Sequence, residues 1–306
     1  MNDFKFKNNV LHVENVSINN LIKKFDTPFY CYSANTIIGK INEFKKYFDN
    51  PNIIICYAVK ANPNIAILKI LSKLGCGAEV VSIGELLRTL KAGISNNKIV
   101  FSGVGKTSEE LEYAIKKNIL QINVESLDEL RLIIKISKKL KKKVNLGLRI
   151  NPNIDAKTHS KITTGTKNDK FGLDIETAEK IYKNYNNNPN IKILGLSIHI
   201  GSQITNINPF VRAFSKITNF IKKQNKNKKN FILGLTFSAF PDRLFPVMRD
   251  RIELEEVFTE ESTFKCWNCE ESHPIEIKKD WGFNEVCPKC DLHLFDEAEK
   301  REKRRW

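Results

Sequence analysis

A repeating unit occupies the sequence from Ile53 onward and constrains the fold more than any other feature. Each unit is a short apolar run, a turn and a helical stretch, the pattern of a β-strand followed by an α-helix. The apolar runs are residues 53–59, 78–81, 99–101, 120–124, 144–150 and 193–200. These six consecutive units predict an α/β fold, either a parallel barrel or a doubly wound sheet. No G-x-G-x-x-G follows the first strand, which argues against a dinucleotide-binding fold.

The predicted helices carry start and stop signals. A Ser or Thr followed three residues later by Glu has the spacing of a capping box, and such pairs begin at Ser82, Thr107 and Ser126. Gly75 and Gly93 stand where C-terminal helix glycines are expected. Before the repeat, residues 11–13 and 28–32 are strand-like and Ser17 is suited to begin a helix.

The stretch Tyr57-Ala-Val-Lys60-Ala-Asn-Pro63 ends the first predicted strand with a lysine, and Pro63 is expected to begin the next helix. A buried strand has no use for an ammonium group, and catalytic groups lie at the carboxyl ends of parallel strands. The amine of Lys60 is therefore a candidate for covalent catalysis. A lysine in this place is more often a solvated surface residue, so the interpretation depends on the other strand ends.

Other predicted strands end in residues that can also carry chemistry. They are Glu79, the turn 102–105, Arg149 and the segment that begins with His199. In a parallel barrel these residues lie on one face around one pocket. Each has a structural alternative: Glu79 as a surface acid, Arg149 as an ion-pair partner and His199 as a hydrogen-bonded core histidine. The segment 151–174 is too long for an ordinary connection, which indicates a functional role.

The net charge of +15 does not indicate a nucleic-acid-binding protein. Residues 1–230 carry 38 Lys and Arg against 18 Asp and Glu (+20), whereas residues 231–306 carry 12 against 17 (−5). The positive charge is nearly all lysine, is spread over many helices and has little aromatic interleaving, so nucleic acid is disfavoured as a partner. The abrupt change in composition near Asn230 indicates a join between two parts of different origin.

No window approaches the length of a transmembrane helix, and residues 1–16 lack the features of a signal peptide. We therefore expect a cytoplasmic protein without membrane association or disulfides. Cys31, Cys56 and Cys76 are interpreted as small buried hydrophobic residues.

Taken together, these segments resemble the diaminopimelate decarboxylases, fold-type III pyridoxal-phosphate enzymes with an alanine-racemase-like (β/α)8-type barrel. The resemblance covers residues 4–225. The matching motifs are Thr27-Pro-Phe-Tyr30, Tyr57-Ala-Val-Lys-Ala-Asn-Pro63, Gly77-Ala-Glu-Val-Val-Ser82 with Gly84-Glu85-Leu86, Arg149-Ile-Asn-Pro152, Thr158-His-Ser-Lys-Ile-Thr-Thr-Gly165 with Lys170-Phe-Gly172, and Ser197-Ile-His-Ile-Gly-Ser-Gln203.

The resemblance implies decarboxylation of meso-diaminopimelate to L-lysine by a homodimer. Lys60 would bind pyridoxal phosphate as a Schiff base, and the His199 ring would lie flat against the cofactor, so these two are the implied catalytic residues. The implied cofactor-binding residues are Lys60, Glu79, Arg149, His199, Gly201 and Ser202, with Glu85 also shaping the pocket.

After residue 225 the sequence departs from the family pattern. A triple-glycine phosphate loop, a glutamate for the pyridine nitrogen, an arginine for the phosphate and a β domain that completes the partner's site are expected there. Residues 231–236 are strand-like, but Phe237-Ser-Ala-Phe-Pro241 follows them instead of glycines. We therefore expect a barrel that is incomplete after about six βα units, with little or no decarboxylase activity and no family-type completion of a partner's site.

Two cysteine pairs replace the missing part. Cys266-x2-Cys269, seventeen intervening residues and Cys287-x2-Cys290 have the spacing of a four-thiolate zinc ribbon. Four ligands close the coordination shell of zinc, so the predicted role of the metal is structural.

The sequence thus predicts a truncated barrel over residues 1–230, a linker over 231–258, a zinc ribbon over 259–295 and a charged tail over 296–306. Two other functions stay open. One is a barrel that holds pyridoxal phosphate without catalysis. The other is an interaction protein in which the ribbon does the work and the barrel is inert, and the net charge of −5 in that part disfavours nucleic acid as its partner.

Overall fold

A small antiparallel sheet precedes the segment in which strand and helix repeat. The computed structural model describes residues 3–47, 53–154, 171–185, 187–201, 204, 208–224, 232–235, 263–265 and 272–274. The antiparallel strands are β1 (Phe4–Lys7), β2 (Val10–Val13) and β3 (Val16–Ser17). Helix α1 (Ile18–Ile22) begins at Ser17, as predicted, because the Ser17 Oγ accepts a hydrogen bond from the Asn20 N–H at 3.2 Å.

The prediction of a strand over residues 28–32 is wrong. These residues form no strand, and the Tyr30 side chain is 90% exposed. An apolar and aromatic run becomes a strand only where a neighbouring strand accepts and donates its backbone hydrogen bonds. Its tyrosines instead stack on each other, with the ring centroids of Tyr30 and Tyr32 6.4 Å apart.

The main sheet consists of seven parallel strands in the order β10-β9-β8-β7-β6-β5-β4. They are β4 (Cys56–Ala58), β5 (Gly77–Val80), β6 (Ile99–Phe101), β7 (Gln121–Val124), β8 (Val144–Arg149), β9 (Ile191–Ile198) and β10 (Ile232–Leu235). The α/β class and the six predicted strand positions are confirmed. Strand β10 carries the sheet past residue 230, into the stretch that the sequence assigned to a linker, because residues 231–236 supply another apolar run.

Helices connect the strands, as the repeat predicts. They are α2 (Ala34–Tyr47), α3 (Ile65–Lys73), α4 (Ile83–Lys91), α5 (Ser108–Lys116), α6 (Leu127–Leu140), α7 (Ile175–Tyr185) and α8 (Asn208–Gln224). The Oγ or Oγ1 atoms of Ser82, Thr107 and Ser126 each accept a backbone N–H in the first turn of α4, α5 and α6. The φ angles of Gly75 and Gly93 are 76° and 85°, the left-handed conformation that ends α3 and α4.

The predicted start of α3 at Pro63 is wrong by two residues. Helix α3 begins at Ile65, because the Asn64 Oδ1 accepts the Ala66 N–H at 2.9 Å and makes Asn64 the N-cap. The consequence is a short connection between β4 and α3, which carries Lys60.

One strand of the sheet is polar on one of its two faces. Ile122 and Val124 of β7 are fully buried, and Gln121, Asn123 and the following Glu125 are also buried, at 3%, 2% and 6% exposure. Side chains of a strand alternate between its faces, so the three polar residues share one face. Buried polar groups require partners. Asn123 and Glu125 find theirs on or just after other strands of the sheet, whereas the Gln121 Nε2 donates to the Asn123 Oδ1 of the same strand.

The chain divides into two compact units, Met1–Pro241 and Asp242–Trp306. The described residues of the second unit form an antiparallel hairpin of β11 (Thr263–Lys265) and β12 (Ser272–Pro274). None of the helices in the described ranges combines the length and the apolar character that a membrane span needs.

Candidate cofactor site

Lys60 lies just past the carboxyl end of β4. The strand ends at Ala58, and a single 3-10 turn, Val59–Ala61, follows it. Val59 is fully buried and holds this turn against the core, whereas Lys60 is exposed. Within the described part of the chain, Lys60 forms no ion pair. Its amine is therefore accessible to a small molecule.

His199 follows the last residue of β9 and lies near two cations. The pKa of His199 is lowered from its ordinary value of 6.5 to about 3, chiefly by burial and in the same direction by the positive charges of Arg149 and Lys60. Each of these causes disfavours the imidazolium form. The ring of His199 is therefore uncharged at neutral pH, and it shares one end of the sheet with both cations.

Arg149, the last residue of β8, is held by a buried carboxylate. The Arg149 Nη1 donates to both carboxylate oxygens of Glu125, at 2.7 and 2.8 Å. The side chains are 13% and 2% exposed, respectively. The Phe171 ring covers the guanidinium, with its centroid 5.3 Å from the Arg149 Cζ. This is a rigid, desolvated ion pair rather than a surface contact.

Glu79 begins a row of polar side chains across the interior face of the sheet. The Ser102 Oγ donates to the Glu79 Oε1 at 2.7 Å, and the Asn123 Nδ2 donates to the Ser102 Oγ at 2.9 Å and to the Ser197 Oγ at 3.3 Å. We call Glu79, Ser102, Asn123 and Ser197 the polar row. It connects β5 to β9 across four strand intervals, so the carboxylate of Glu79 is part of a fixed network.

A glycine in β8 makes the polar row possible. Gly147 pairs with Asn123 on one side and with Gly195 on the other. A Cβ atom at Gly147 would lie 2.5 Å from the Asn123 Oδ1 and 2.6 Å from the Gln121 Nε2. The missing side chain therefore allows Asn123 to reach across β8 to Ser197.

The structure brings Lys60, Arg149 and His199 together and places Glu79 in the polar row. Gly201 has a φ of 140°, in the region that favours glycine, which suits a close backbone approach to a ligand. Ser202 lies outside the described residues. Glu85 does not face these groups as a free carboxylate: its Oε2 accepts the Val81 N–H at 2.9 Å, at the start of α4.

The predicted zinc ligands Cys266, Cys269, Cys287 and Cys290 also lie outside the described residues. Within those residues, no group of His, Cys, Asp and Glu side chains is arranged to hold a metal ion. In the sheet, burial raises the pKa of the Cys56 thiol to about 12 and also raises the pKa of Cys76. Both thiols thus remain protonated. Cys76 is buried, as predicted, but the prediction of burial is wrong for Cys31 and Cys56, which are only half-buried.

Three contributors to the site were missed in the sequence: Glu125, Asn123 and Ser197 as a hydrogen-bond acceptor. The signal was present in the alternation Gln121-Ile-Asn-Val-Glu125, in which polar residues occupy every second position of a buried strand. Such an alternation predicts a polar interior face, and Glu125 is its member nearest the carboxyl end.

The fold and the site together define a class: a parallel α/β protein with an accessible lysine amine at a strand end, suited to bond with an aldehyde or ketone. Comparison with known proteins specifies it further. Residues 34–232 match the family described as pyridoxal-dependent decarboxylase, pyridoxal binding domain. The match covers more than half of the chain, and the chain belongs to this family.

Known relatives agree with the assignment. The chain is 44% identical over 257 residues to a diaminopimelate decarboxylase of Aquifex aeolicus, covering 82% of this chain and 60% of that protein. It is 43% identical over 217 residues to that of Haemophilus influenzae, covering 71% and 52%. The chain thus spans between half and two thirds of the length of these relatives.

Solved structures show the same fold. The diaminopimelate decarboxylase of Helicobacter pylori complexed with L-lysine matches with a TM-score of 0.66 and 35% identity, over 72% of this chain and 65% of that chain. The diaminopimelate decarboxylase of M. jannaschii in co-complex with L-lysine matches with a TM-score of 0.71 and 35% identity, over 81% and 63%.

Proposed function

We propose that this chain binds pyridoxal phosphate through Lys60 and carries the cofactor site for decarboxylation of meso-diaminopimelate to L-lysine. The observation that carries the proposal is the convergence of three residues at one end of the sheet: Lys60, which is exposed and has no ion pair among the described residues, Arg149, which is held by Glu125, and the neutral His199. The family match supports the cofactor, and the names of the relatives support the substrate.

The residues present fit the cofactor. Among the residues that the structure describes, no carboxylate pairs with Lys60, so its amine is available for a Schiff-base linkage to the cofactor aldehyde. The flat, neutral ring of His199 can lie against an aromatic ring and fix its plane. Gly201, and in our proposal Ser202, would bind the phosphate. When bound, pyridoxal phosphate supplies the electron sink for the pair released as carbon dioxide leaves.

Arg149 and Glu79 are held in fixed positions at the proposed site by their neighbours. The guanidinium of Arg149 cannot leave the site, because Glu125 and Phe171 hold it on two sides. Its charge also helps to keep His199 unprotonated. Glu79 is oriented by Ser102. We propose that both residues shape the pocket around the cofactor rather than take part in proton transfer.

We expect turnover to be low. The sequence after residue 225 lacks the glycine loop of the family pattern, and backbone N–H groups of such a loop would otherwise help to hold the phosphate. The same observation favours the second candidate, a barrel that binds pyridoxal phosphate without catalysis. A family-type homodimer and the limits of the domains stay predictions.

The first prediction tests the role of Lys60. Adding pyridoxal phosphate to the purified full chain is expected to give a Schiff-base absorption band that survives gel filtration. Lys60→Ala should lose the band, because it removes the strand-end amine that the proposal assigns to the cofactor. Lys69→Ala, which changes an exposed lysine of α3, is the matched control and should keep the band.

Release of carbon dioxide from meso-diaminopimelate separates the two candidates. A band with measurable release supports the decarboxylase, whereas a band without release supports the non-catalytic binder. A band that is unchanged in Lys60→Ala would contradict both.

We further propose that the second unit binds zinc as a ribbon. The spacing of Cys266, Cys269, Cys287 and Cys290 supports it, and strands β11 and β12 flank residues 266–271, where the first pair lies. The purified full chain is expected to contain about one zinc ion. Cys266→Ser with Cys269→Ser should lose the metal, and Cys31→Ser should retain it. Metal-free wild-type protein would exclude the ribbon.

A further inference from the structure

Lys106 is a buried lysine that the proposed site does not use. Its side chain is 0% exposed, and that of its partner Glu129 is 11% exposed. The Lys106 Nζ donates to the Glu129 Oε1 at 2.7 Å, to the Asn123 backbone oxygen at 2.8 Å and to the Gly103 backbone oxygen. An ammonium group has three protons, so these acceptors satisfy it completely.

All three acceptors belong to the surroundings of Glu125. The Glu125 N–H donates to the Glu129 Oε2 at 2.8 Å, so one carboxylate binds both Lys106 and the Glu125 backbone. The Gly103 N–H donates to the Glu125 Oε1 at 2.8 Å. Gly103 therefore holds Glu125 with its N–H and Lys106 with its oxygen. A displacement of Gly103 would disturb the carboxylate that binds Arg149.

Two ion pairs are joined through the backbone of Glu125. Lys106 contacts Glu129, Glu129 accepts the backbone N–H of Glu125, and Glu125 binds Arg149. Without the Lys106 ammonium, the Gly103 oxygen loses its donor, and the turn that carries the Gly103 N–H to Glu125 is no longer anchored. This loss does not depend on the charge of Glu129, so replacing the whole Lys106–Glu129 pair by neutral groups should also release Glu125 from its single orientation toward Arg149.

We propose that Lys106 and Glu129 are positioning residues: through Gly103 and Glu125 they hold the Arg149 guanidinium beside His199. The relevance of this position to pyridoxal phosphate rests on the proposed function. Lys106 and Glu129 bind the backbone around Glu125 and each other. Their effect on Arg149 is therefore transmitted by the turn after β6 and by the first turn of α6.

A double substitution tests the positioning role without unfolding the protein. Lys106→Met alone leaves a buried carboxylate unpaired and risks unfolding the protein, whereas Lys106→Met with Glu129→Gln replaces the whole pair by neutral groups of similar shape, which proteins tolerate far better. The matched control is Lys116→Met with Glu112→Gln, which removes an ion pair whose side chains are 54% and 24% exposed. Far-UV circular dichroism establishes that both variants are folded.

The decisive measurement uses the cofactor-free chain. Phenylglyoxal modifies exposed arginines, and mass spectrometry gives the rate at Arg149 relative to Arg131, whose side chain is 61% exposed. The double variant is expected to raise the rate at Arg149 about tenfold, equivalent to ~1.4 kcal/mol of lost restraint. The control variant should leave the ratio unchanged. An unchanged ratio in the Lys106 variant would overturn the proposal.

Binding of pyridoxal phosphate separates this inference from the proposed function. In the double variant, together with faster modification at Arg149, we expect the dissociation constant of the cofactor to rise about tenfold. An unchanged dissociation constant would show that the position of Arg149 does not serve the cofactor. If wild-type protein binds no cofactor while the modification rate still rises, the proposed function fails and the positioning role stands.

Discussion

Replacing Glu125 with alanine is expected to lower the free energy of unfolding of the first unit by about 3–5 kcal/mol. The variant leaves the guanidinium of Arg149, at 13% exposure, without the carboxylate that accepts two hydrogen bonds from it. The Gly103 N–H loses its acceptor at the same time. Removing one partner of a buried ion pair is more damaging than removing both, because the remaining charge stays desolvated.

Urea unfolding followed by far-UV circular dichroism measures this effect. The three tryptophans, at positions 267, 281 and 306, all belong to the second unit, and the first unit contains none. Glu125→Gln with Arg149→Met is expected to regain most of the lost stability. Glu112→Ala removes a partly exposed carboxylate whose lysine partners, Lys116 and Lys139, are open to solvent, and it should cost far less stability than Glu125→Ala. An unfolding midpoint of Glu125→Ala equal to that of the wild type would show that Arg149 does not depend on this pair.

The positions of strands and helices could be predicted because each depends on local sequence. An apolar run bounded by turns becomes a buried strand, and a Ser or Thr at the right spacing caps the following helix. Residues 28–32 have the composition of a strand as well, and yet they form none. A strand needs a neighbouring strand to pair with, and the composition of a segment does not say whether such a neighbour is present.

The residues of the candidate site likewise fall into those that local sequence predicts and those that it does not. Lys60, Arg149 and His199 could be found because each is a polar residue at the end of an apolar strand, and parallel strands bring such ends together. Their partners could not be found from strand ends alone. Whether Asn123 reaches Ser197 depends on the register across β8 and on the absence of a side chain at Gly147, and both follow from strand pairing rather than from local periodicity.

Charge interactions connect the strand-end residues of the site with the partners that hold them. Glu125 accepts two hydrogen bonds from Arg149, so the guanidinium remains in the site although its charge acts on His199. Burial of the ring and the charges of Arg149 and Lys60 all disfavour the imidazolium, so His199 can stay neutral near both cations. This arrangement makes His199 the group whose titration should be visible in the stability of the protein.

His199→Gln is expected to make the free energy of unfolding depend less steeply on pH in the acidic range. In the folded chain the pKa of His199 is about 3, compared with an ordinary value of 6.5. Between these two values the unfolded chain binds a proton that the folded chain does not. The free energy of unfolding contributed by His199 is therefore complete above pH 6.5 and is lost as the pH falls toward 3, by up to about 1.4 kcal/mol for each pH unit.

Urea unfolding at a series of pH values below 6.5 tests this slope. Glutamine keeps hydrogen-bonding capacity and cannot titrate, so His199→Gln should show a shallower loss of stability than the wild type over the same range. His12→Gln is the matched control, since His12 lies in the N-terminal antiparallel sheet, and it should keep the wild-type slope. Equal slopes in His199→Gln and in the wild type would mean that His199 gains a proton in the folded chain as readily as in the unfolded chain. In that case neither burial nor the two cations govern its charge, and a neutral ring could not be assumed for cofactor binding at acidic pH.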